Sequence, residues 1–384
     1  MRPERQRWAV GAIAGATALC GAFSIGLGFS NGDAAVYAAQ AWQGDWTARW
    51  IHVGWVGLAS LLAPLVGEDL PLALDLVTLS FAVGGVVLAA QIAAAKGGSA
   101  LVAAFGFAIA VLPEASYAEV DVPWIVLLLG AVVGRRTITT LTVVAAIAVS
   151  PTALLGLPWV LALRGRGRRA EVIAGAAGAL VVLTVASGGA WWMGDRGVLH
   201  AVLSPWRSAE RWIFEGLQFL PFVLGWGMAS AWRAPSWALA AVLAPADVPS
   251  WVLAKAAVSV EAGTAPRFGR WCFGLLFVAI GLFSVVDRRH RVVYEAALVR
   301  QVADTLAVED TLTAPWSWGV RIAVTKTGNP YGLCWRVPES SDGRSRVSEL
   351  RTSAACERAT GRHWVFDGQG LTVANTSGRS SPAH

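Results

Sequence analysis

Long apolar runs separated by short polar loops make up most of the chain before residue 291. The first run, Trp8–Ser30, follows three arginines and is long enough to cross a bilayer as an uncleaved helix. Ser236–Val258 contains two prolines and is interpreted as one broken span or two short ones. The pattern predicts a mainly α protein, a polytopic transmembrane helix bundle of about 8–11 spans. The other predicted runs are Leu70–Ala95, Ser99–Pro113, Pro123–Gly134, Thr137–Ser150, Thr152–Leu163, Glu171–Met193, Gly216–Trp232 and Arg270–Val286.

The pattern changes after the bundle, which we assign to residues 1–291. Residues 292–376 are polar, and short β-type runs alternate with Gly, Pro, Asn and Asp. They predict a small soluble α/β domain, followed by a disordered tail over 377–384. The predicted elements are one helix, Val292–Val308, and three strands, Gly319–Thr325, His363–Phe366 and Leu371–Ala374.

Composition supports lipid as the solvent of the bundle. The chain is 55% hydrophobic and 15% charged, and it has 20 tryptophans, which favour membrane interfaces. The net charge is +6, but its basic residues cluster in short loops at Lys96, Arg135–Arg136 and Arg164–Arg169. Those loops are expected in the cytoplasm, which argues against nucleic acid as a partner.

This orientation predicts three loops on the outer face of the cytoplasmic membrane, over 31–69, 114–122 and 194–215. Within the first loop, His52–Val66 is apolar but too short to span, so it is expected to be a re-entrant or interfacial helix.

The side of the C-terminal domain receives two conflicting predictions. Cys334 and Cys356 could pair, and a disulfide would require an oxidising compartment. The basic residues 288–291, directly after the last predicted span, instead favour the cytoplasm. Charge alone does not decide between them.

Two groups of carboxylates are candidates for chemistry. Asp33 follows the first span, and its position fits either a helix N-cap or a general base at the membrane surface. Glu114, Glu119 and Asp121 form an acidic patch between two spans. The patch is either a solvated loop or a site that holds a cation or divides acid and base roles.

Basic and aromatic side chains of the outer loops form the third candidate group. Arg49, Arg207 and Arg211 could bind phosphate, or they could simply form a solvated basic face. His52, beside Arg49 and Trp50, also fits an interfacial anchor. The chain has no phosphate-binding loop, no Gly-x-Ser-x-Gly elbow and no His-Glu-x-x-His motif. These absences argue against ATP-driven transport and against a serine or zinc hydrolase.

Taken in order, three segments resemble motifs of the GT-C superfamily of membrane glycosyltransferases, most closely its bacterial protein O-mannosyltransferase-like branch. Gly32–Ala39 is similar to a Gly-Asp-small-small-acid-aromatic motif, with Val36 in place of the second acid. His52–Trp55 stands where the family has His-Pro-Pro-Gly-Tyr, without its prolines. Ala118–Asp121 is similar to Ala-Glu-Val-Tyr, with Asp121 in place of tyrosine. The resemblance covers about the first two hundred residues.

The resemblance implies an enzyme that moves a sugar from a polyprenyl-phosphate donor, held in membrane lipid, to a hydroxyl of a protein or glycan acceptor. Asp33 would be the catalytic base of an inverting displacement, and Glu119 would support it. The implied active site and the C-terminal domain lie on the outer face, and the resemblance leaves room for a divalent cation. The implied substrate-binding residues are Tyr37, Arg49, His52, Asp121, Arg207 and Arg211.

Two other classes of protein fit the same pattern. A transporter or flippase would use acids inside its spans as a relay, and Asp75 and Asp247 are placed for that role. A non-catalytic membrane scaffold would tolerate the loss of Asp33 and Glu119. The clustering of most acids at span ends favours the enzyme.

Overall fold

The structure is a computed structural model, and it describes the chain in several stretches. The segments 26–31, 45–51 and 194–252 fall outside the described residues, so the predicted span Gly216–Trp232 cannot be compared with it. Most of Ser236–Val258 and Arg270–Val286 also falls outside. The described residues are 3–25, 32–44, 52–112, 115, 120–193, isolated positions between 253 and 286, 289–337 and 354–374.

The chain divides into two compact units. The first unit takes Met1–Ile25, Trp46–Leu58 and Leu72–His290. The second takes Gly26–Asp45, Ala59–Pro71 and Arg291–His384. The second unit therefore combines the C-terminal region with two segments from near the N-terminus.

The first unit is helical throughout its described part. Leu70–Ala95 coincides with the prediction, and the following helices begin and end within two residues of the predicted runs. Glu171–Met193 is instead interrupted at 187–189, where Gly188 and Gly189 adopt positive φ. The segment Ala59–Pro71, which ends α3 and begins α4, is assigned to the second unit. The helices are α1 (Pro3–Ser24), α3 (Val53–Val66), α4 (Leu70–Ala95), α5 (Ala100–Val111), α6 (Asp121–Val133), α7 (Arg136–Val149), α8 (Ala153–Arg164), α9 (Arg169–Ala186) and α10 (Ala190–Met193).

Glycines allow these helices to approach one another closely. A Cβ added at Gly85 of α4 would lie 2.7 Å from Val126 of α6 and closer still to the ring of Phe107 of α5. A Cβ added at Gly175 of α9 would lie 3.0 Å from the Cβ of Val143 of α7. Small residues at helix crossings are typical of bundles that associate within lipid.

The outer faces of the same helices carry large apolar side chains. Leu141 of α7 is 61% exposed, and Val182 and Val185 of α9 are 61% and 75% exposed. Among the described residues, two helical stretches are long and apolar enough to cross a membrane, namely Val53–Ala95, which joins α3 to α4, and Arg169–Ala186. Helices α5 to α8 have only 12 to 14 residues. At 1.5 Å per residue each falls short of a hydrocarbon core of about 30 Å. The described residues thus give a mainly helical protein but do not confirm the predicted number of spans.

The second unit contains a small mixed sheet of four strands in the order β2-β1-β3-β4. Strand β1 pairs in parallel with β2, Thr311 opposite Cys334, and with β3, Thr311 opposite His363. Strand β4 pairs antiparallel with β3, Phe366 opposite Leu371. Its other described elements are helices. The elements are α2 (Gly32–Trp42), α11 (residues 289–305), β1 (Thr311–Thr313), α12 (Trp316–Thr327), β2 (Cys334–Arg336), α13 (Ala354–Glu357), β3 (His363–Phe366) and β4 (Leu371–Val373).

The predicted small C-terminal sheet is present, but one of its predicted strands is wrong. His363–Phe366 is a strand as predicted, whereas Gly319–Thr325 lies inside helix α12. Its β-branched residues favour a strand locally, but the helix buries six consecutive residues, Gly319–Val324, in the unit. The helix ends at Gly328, whose φ of +68° suits a left-handed C-cap.

Polar contacts hold the C-terminal part of the second unit together. The guanidinium of Arg321, only 1% exposed, forms an ion pair of 2.8 Å with Glu295 of α11. Asp310 accepts hydrogen bonds from the backbone N–H groups of Ala307 and Arg362, at 2.9 and 2.7 Å, and from the indole of Trp364 at 2.9 Å. These contacts connect α11, β1, α12 and β3.

The two cysteines of the C-terminal region form a disulfide. Cys334 lies in β2 and Cys356 in α13, and their Cα atoms are 4.5 Å apart. The bond closes a loop between residues 22 positions apart in the chain. The sequence left this pairing open, and the structure contains it.

Candidate functional site

Asp33 lies in the first turn of a helix that is otherwise buried. From Gly32 to Ala41, every residue of α2 is buried except Asp33 and Gln40. These two residues are seven positions apart, which is two helical turns, so they lie on one face. Small alanines fill the rest of the helix, which allows close packing around it. Helix α2 therefore presents one partly open polar stripe.

Tyr37 and the side-chain oxygen of Gln40 add to the polar character of this stripe. Tyr37, between Asp33 and Gln40 on the same face, is only 2% exposed, so its ring lies inside the structure. The Oε1 atom of Gln40 is buried and has no hydrogen-bond partner among the described residues. A ligand hydroxyl is one group that could satisfy such an acceptor. The substrate-binding role of Tyr37 stays a prediction.

The start of α2 packs directly against the start of α12. A Cβ on Gly32 would lie 2.7 Å from the ring of Trp316 and 3.1 Å from the Cα of Ser317. A side chain at position 32 would therefore push the two helices apart, so glycine is required for this approach. At its other end, α2 is fixed by a hydrogen bond of 3.1 Å from the indole of Trp42 to the carbonyl of Gly67. The residue that contacts the first turn of α12 is thus Gly32, and Asp33 is the next residue of α2.

A helix start is a suitable place for a carboxylate. The first backbone N–H groups of a helix lack partners within it, and its dipole is positive there. Asp33 is in the first turn of α2, one residue after Gly32. A simple cap and a catalytic base both fit this position, so the alternative seen in the sequence remains.

His52 lies in the first unit, at the start of α3. Its Nδ1 is 2.9 Å from the carbonyl oxygen of Val149, at the end of α7. Because a carbonyl can only accept, Nδ1 must carry the proton. A Cβ on nearby Gly54 would lie 2.9 Å from the backbone of Ala148, so the beginning of α3 rests on the end of α7. The geometry gives His52 an anchoring contact, and its substrate-binding role stays a prediction.

Asp121 is the first residue of α6 and is only 5% exposed. It belongs to the first unit, and Asp33 belongs to the second. Asp121 itself is therefore not solvated, and both interpretations of the patch as a whole stay open because Glu114 and Glu119 lie outside the described residues. The start of α6 offers Asp121 unpaired backbone N–H groups and a favourable dipole.

Several predicted site residues lie outside the described part of the chain. The roles of these residues stay predictions. They are Arg49, Glu114, Glu119, Arg207 and Arg211. Among the residues that the structure does describe, no group of three or more His, Cys, Asp or Glu side chains could hold a metal ion.

The sequence analysis singled out neither Trp316, which packs against Gly32 next to Asp33, nor Trp318, two residues further along α12. Both are half-buried in the first turn of α12. The signal was present as Pro315 followed by Trp-Ser-Trp, because proline is common where a helix begins. The contact of Trp316 with Gly32 joins positions almost three hundred residues apart, and no local pattern encodes such a contact.

Comparisons of this chain with protein-family models, with curated proteins and with solved structures find no match. The residues and their geometry therefore carry the functional argument.

Proposed function

We propose that the protein is an inverting membrane glycosyltransferase that uses a polyprenyl-phosphate sugar, with Asp33 as its general base. One observation carries the proposal: Asp33 belongs to the same compact unit as the disulfide-bonded C-terminal sheet. Disulfides persist in oxidising compartments, so this unit belongs on the outer face of the cytoplasmic membrane. Asp33 is then on the face where the resemblance to GT-C enzymes requires the base.

The polytopic bundle is part of this proposal. Close helix crossings at glycines and the exposed apolar faces of α7 and α9 support contact with lipid, because exposed apolar surface of that extent is costly in water. Such a bundle would hold the lipid tail of the donor within the bilayer and its sugar phosphate at the membrane face. The count of about 8–11 spans belongs to the proposal as well.

The chemical step is a single displacement. A carboxylate oxygen of Asp33 takes the proton of the acceptor hydroxyl, and the acceptor oxygen forms a bond to the anomeric carbon. The bond from that carbon to the phosphate oxygen breaks, and its electron pair leaves with polyprenyl phosphate. Attack from the side opposite the phosphate inverts the anomeric centre. General base catalysis contributes about 10²–10⁴-fold to such a rate.

The test is sugar transfer by full-length protein in liposomes that contain a panel of polyprenyl-phosphate sugars. We expect Asp33→Asn to lower the release of polyprenyl phosphate about 10²–10⁴-fold while the protein reaches the membrane in equal amount. Asp304→Asn is the matched control, because Asp304 is an exposed carboxylate on α11 of the same unit. Full transfer by Asp33→Asn would reject Asp33 as the base.

A proton-coupled transporter is the second candidate, and one observation favours it. Asp75 is only 1% exposed and lies inside the span candidate Val53–Ala95. Carboxylates buried in spans often belong to ion or proton pathways. In the same liposomes, a substrate flux that Asp75→Asn abolishes and Asp33→Asn leaves intact would favour the transporter over the transferase.

A further inference from the structure

The start of helix α11 is attached to the end of α1. The guanidinium of Arg289 donates a hydrogen bond of 2.7 Å to the backbone carbonyl of Ile25, the residue that follows α1. The same guanidinium lies 5.1 Å from the centroid of the Phe23 ring. These three residues belong to the first unit. Because the last carbonyl groups of a helix lack partners within it, a cation is well placed there.

The direction of α1 assigns this contact to one face of the proposed bundle. The helix has 22 residues and is therefore about 33 Å long at 1.5 Å per residue, which is comparable with a hydrocarbon core of about 30 Å. The three arginines that precede its apolar run are predicted in the cytoplasm. On that orientation, Ile25 and Arg289 lie at the outer face.

A second contact agrees with this path of the chain. The carboxylate of Glu261 lies 3.8 Å from the amino group of Lys96, and the carbonyl of Gly263 accepts a hydrogen bond of 2.5 Å from the N–H of Ser99. Lys96 belongs to a loop that is predicted in the cytoplasm. The predicted span Arg270–Val286 follows, so the chain would cross to the other side before α11 begins.

One face of α11 changes in character along its length. Near the start of the helix, its exposed side chains are apolar or aromatic, since Val293 is 41% exposed and Tyr294 is 54% exposed. Two to three turns later the same face carries Arg300, Gln301 and Asp304, which are also exposed. A helix that leaves a membrane surface for water would show this change. The opposite face is buried and consists of Val292, Ala296, Val299 and Ala303.

Basic side chains flank the apolar start of this face. Arg289 is half-buried, whereas His290 and Arg291 are exposed. Phe23 of α1, which is 59% exposed, contacts Arg289 and extends the apolar surface. Interfacial surfaces of membrane proteins combine apolar side chains that enter the headgroup region with basic groups that attract anionic lipids. The guanidinium fork in particular matches phosphate oxygens.

We propose that Phe23, Val293, Tyr294 and the basic residues 289–291 form a surface that binds anionic phospholipids of the leaflet at which α1 ends. The positive charge complements the lipid phosphate, and an exposed face suits a bilayer lipid better than a substrate that must be enclosed. On the predicted orientation this is the outer leaflet, where the basic residues then have a use. The inference rests on the membrane bundle of the proposed function but does not involve Asp33.

The first experiment measures depth in the bilayer. Full-length protein in nanodiscs of phosphatidylcholine and phosphatidylglycerol carries an NBD label at Val293→Cys or at Asp304→Cys, in a Cys20→Ser, Cys272→Ser background that keeps the disulfide. The two positions lie on the same face of α11, three turns apart. We expect doxyl-labelled lipid to quench the label at position 293 and to leave the label at 304 bright. Tyr294→Cys replaces Val293→Cys if that variant fails to fold.

The second experiment measures the choice of lipid. Phosphatidylglycerol or phosphatidylcholine is titrated into the detergent-solubilised full chain, and bound lipid is counted by native mass spectrometry. A basic residue near an anionic lipid surface is worth about 1 kcal/mol, so we expect Arg291→Gln to raise the dissociation constant of phosphatidylglycerol about fivefold. Arg300→Gln, at an exposed arginine farther along α11, should leave it unchanged. An intact disulfide and an unchanged melting temperature show that each variant is folded.

The possible failures are distinguishable. Equal quenching at positions 293 and 304, or equal affinity of the wild type for the two lipids, would overturn the inference. Equal losses of affinity in Arg291→Gln and Arg300→Gln would also overturn it. Sugar transfer that depends on Asp33 would still stand in each case. The expected quenching and lipid preference without sugar transfer from any donor would support the inference and count against the proposed chemistry.

Discussion

The two compact units differ in the kind of contact that holds each together. In the first, glycines such as Gly85 and Gly175 let helices approach closely, and large apolar side chains face outward. In the second, the C-terminal elements are joined by the Arg321–Glu295 ion pair, the hydrogen bonds of Asp310 and a disulfide. The first unit is marked by close glycine crossings beneath an exposed apolar surface, and the second adds a disulfide and buried polar links to its own close crossing at Gly32.

Under the proposed function, this difference corresponds to two solvents. In lipid, burial of apolar surface gives helices little reason to associate, so close packing at small residues takes its place. In water, a small domain has a limited core and gains much from a disulfide or a buried polar network. The proposed function places the first unit in lipid and the second on the aqueous, oxidising side of the membrane. The following predictions test that contrast, from the largest expected effect to the smallest.

The disulfide should make the largest contribution, and only to the second unit. Replacing both cysteines, Cys334→Ser with Cys356→Ser, should destabilise this unit by about 2–5 kcal/mol, because the unfolded chain regains the freedom that the cross-link removed. Hydrogen exchange followed by mass spectrometry should show faster exchange in β1 to β4 and unchanged exchange in α6, α7 and α9. Equal acceleration in both units would contradict the separation that we describe.

Adjacent glycines of α4 give a matched test of packing in the first unit. Gly85→Leu should destabilise the bundle by about 1–3 kcal/mol or more, because the new side chain meets Phe107 and Val126. Gly84→Leu should be tolerated, since no atom lies within 4 Å of the position its Cβ would take. Thermal unfolding of detergent-solubilised protein measures both. Equal effects of the two leucines would remove the argument for packing at glycine.

Asp310 should make the stability of the second unit depend on pH. Burial alone would raise its pKa, but hydrogen bonds from Ala307, Arg362 and Trp364 outweigh burial and lower the pKa. The stabilisation is therefore complete above the pKa of the unfolded chain, about 3.9, and is lost as the pH falls through the lower folded pKa.

The corresponding variant is Asp310→Asn, which should cost about 1–3 kcal/mol at neutral pH because one oxygen acceptor and the charge are lost. Its loss of stability between about pH 5 and pH 2 should also be shallower than that of the wild type. Urea titrations of the full chain at several pH values, followed by exchange in β3, measure this dependence. A wild type and a variant with parallel pH profiles would show that Asp310 contributes no pH-linked stability.

The elements that the sequence predicted well are those with a strong local signal. Leu70–Ala95 is a long, largely apolar run, and α5 begins after Ser99, whose side chain accepts a hydrogen bond from the N–H of Val102. His363–Phe366 is set off by polar residues and turns. Each of these segments carries its hydrophobic pattern or its boundary within a few residues.

The errors and omissions arise where long-range contacts decide the structure. Helix α12 overrides the strand preference of Gly319–Thr325, and three-residue strands such as β1 are too short for a periodic pattern. Arg164, predicted to lie in a short basic loop, is instead the last residue of α8, where it is buried and donates to the carbonyls of Val132 and Gly134 at the end of α6.

The candidate site likewise has one part that a local pattern predicts and one part that depends on long-range contacts. Asp33 was identified by its place after the first apolar run. The packing of its helix against Trp316 depends on a contact between distant parts of the chain, so no local pattern predicts it.

The central claim is that the second unit, with Asp33 and the disulfide, lies on the outer face of the membrane. Fusions at the C-terminus test it most directly, with alkaline phosphatase as the reporter for the outer face and green fluorescent protein as the reporter for the cytoplasm. We predict an active phosphatase fusion and a dark fluorescent-protein fusion. A fluorescent fusion with inactive phosphatase would contradict the claim and leave Asp33 without an outer-face role.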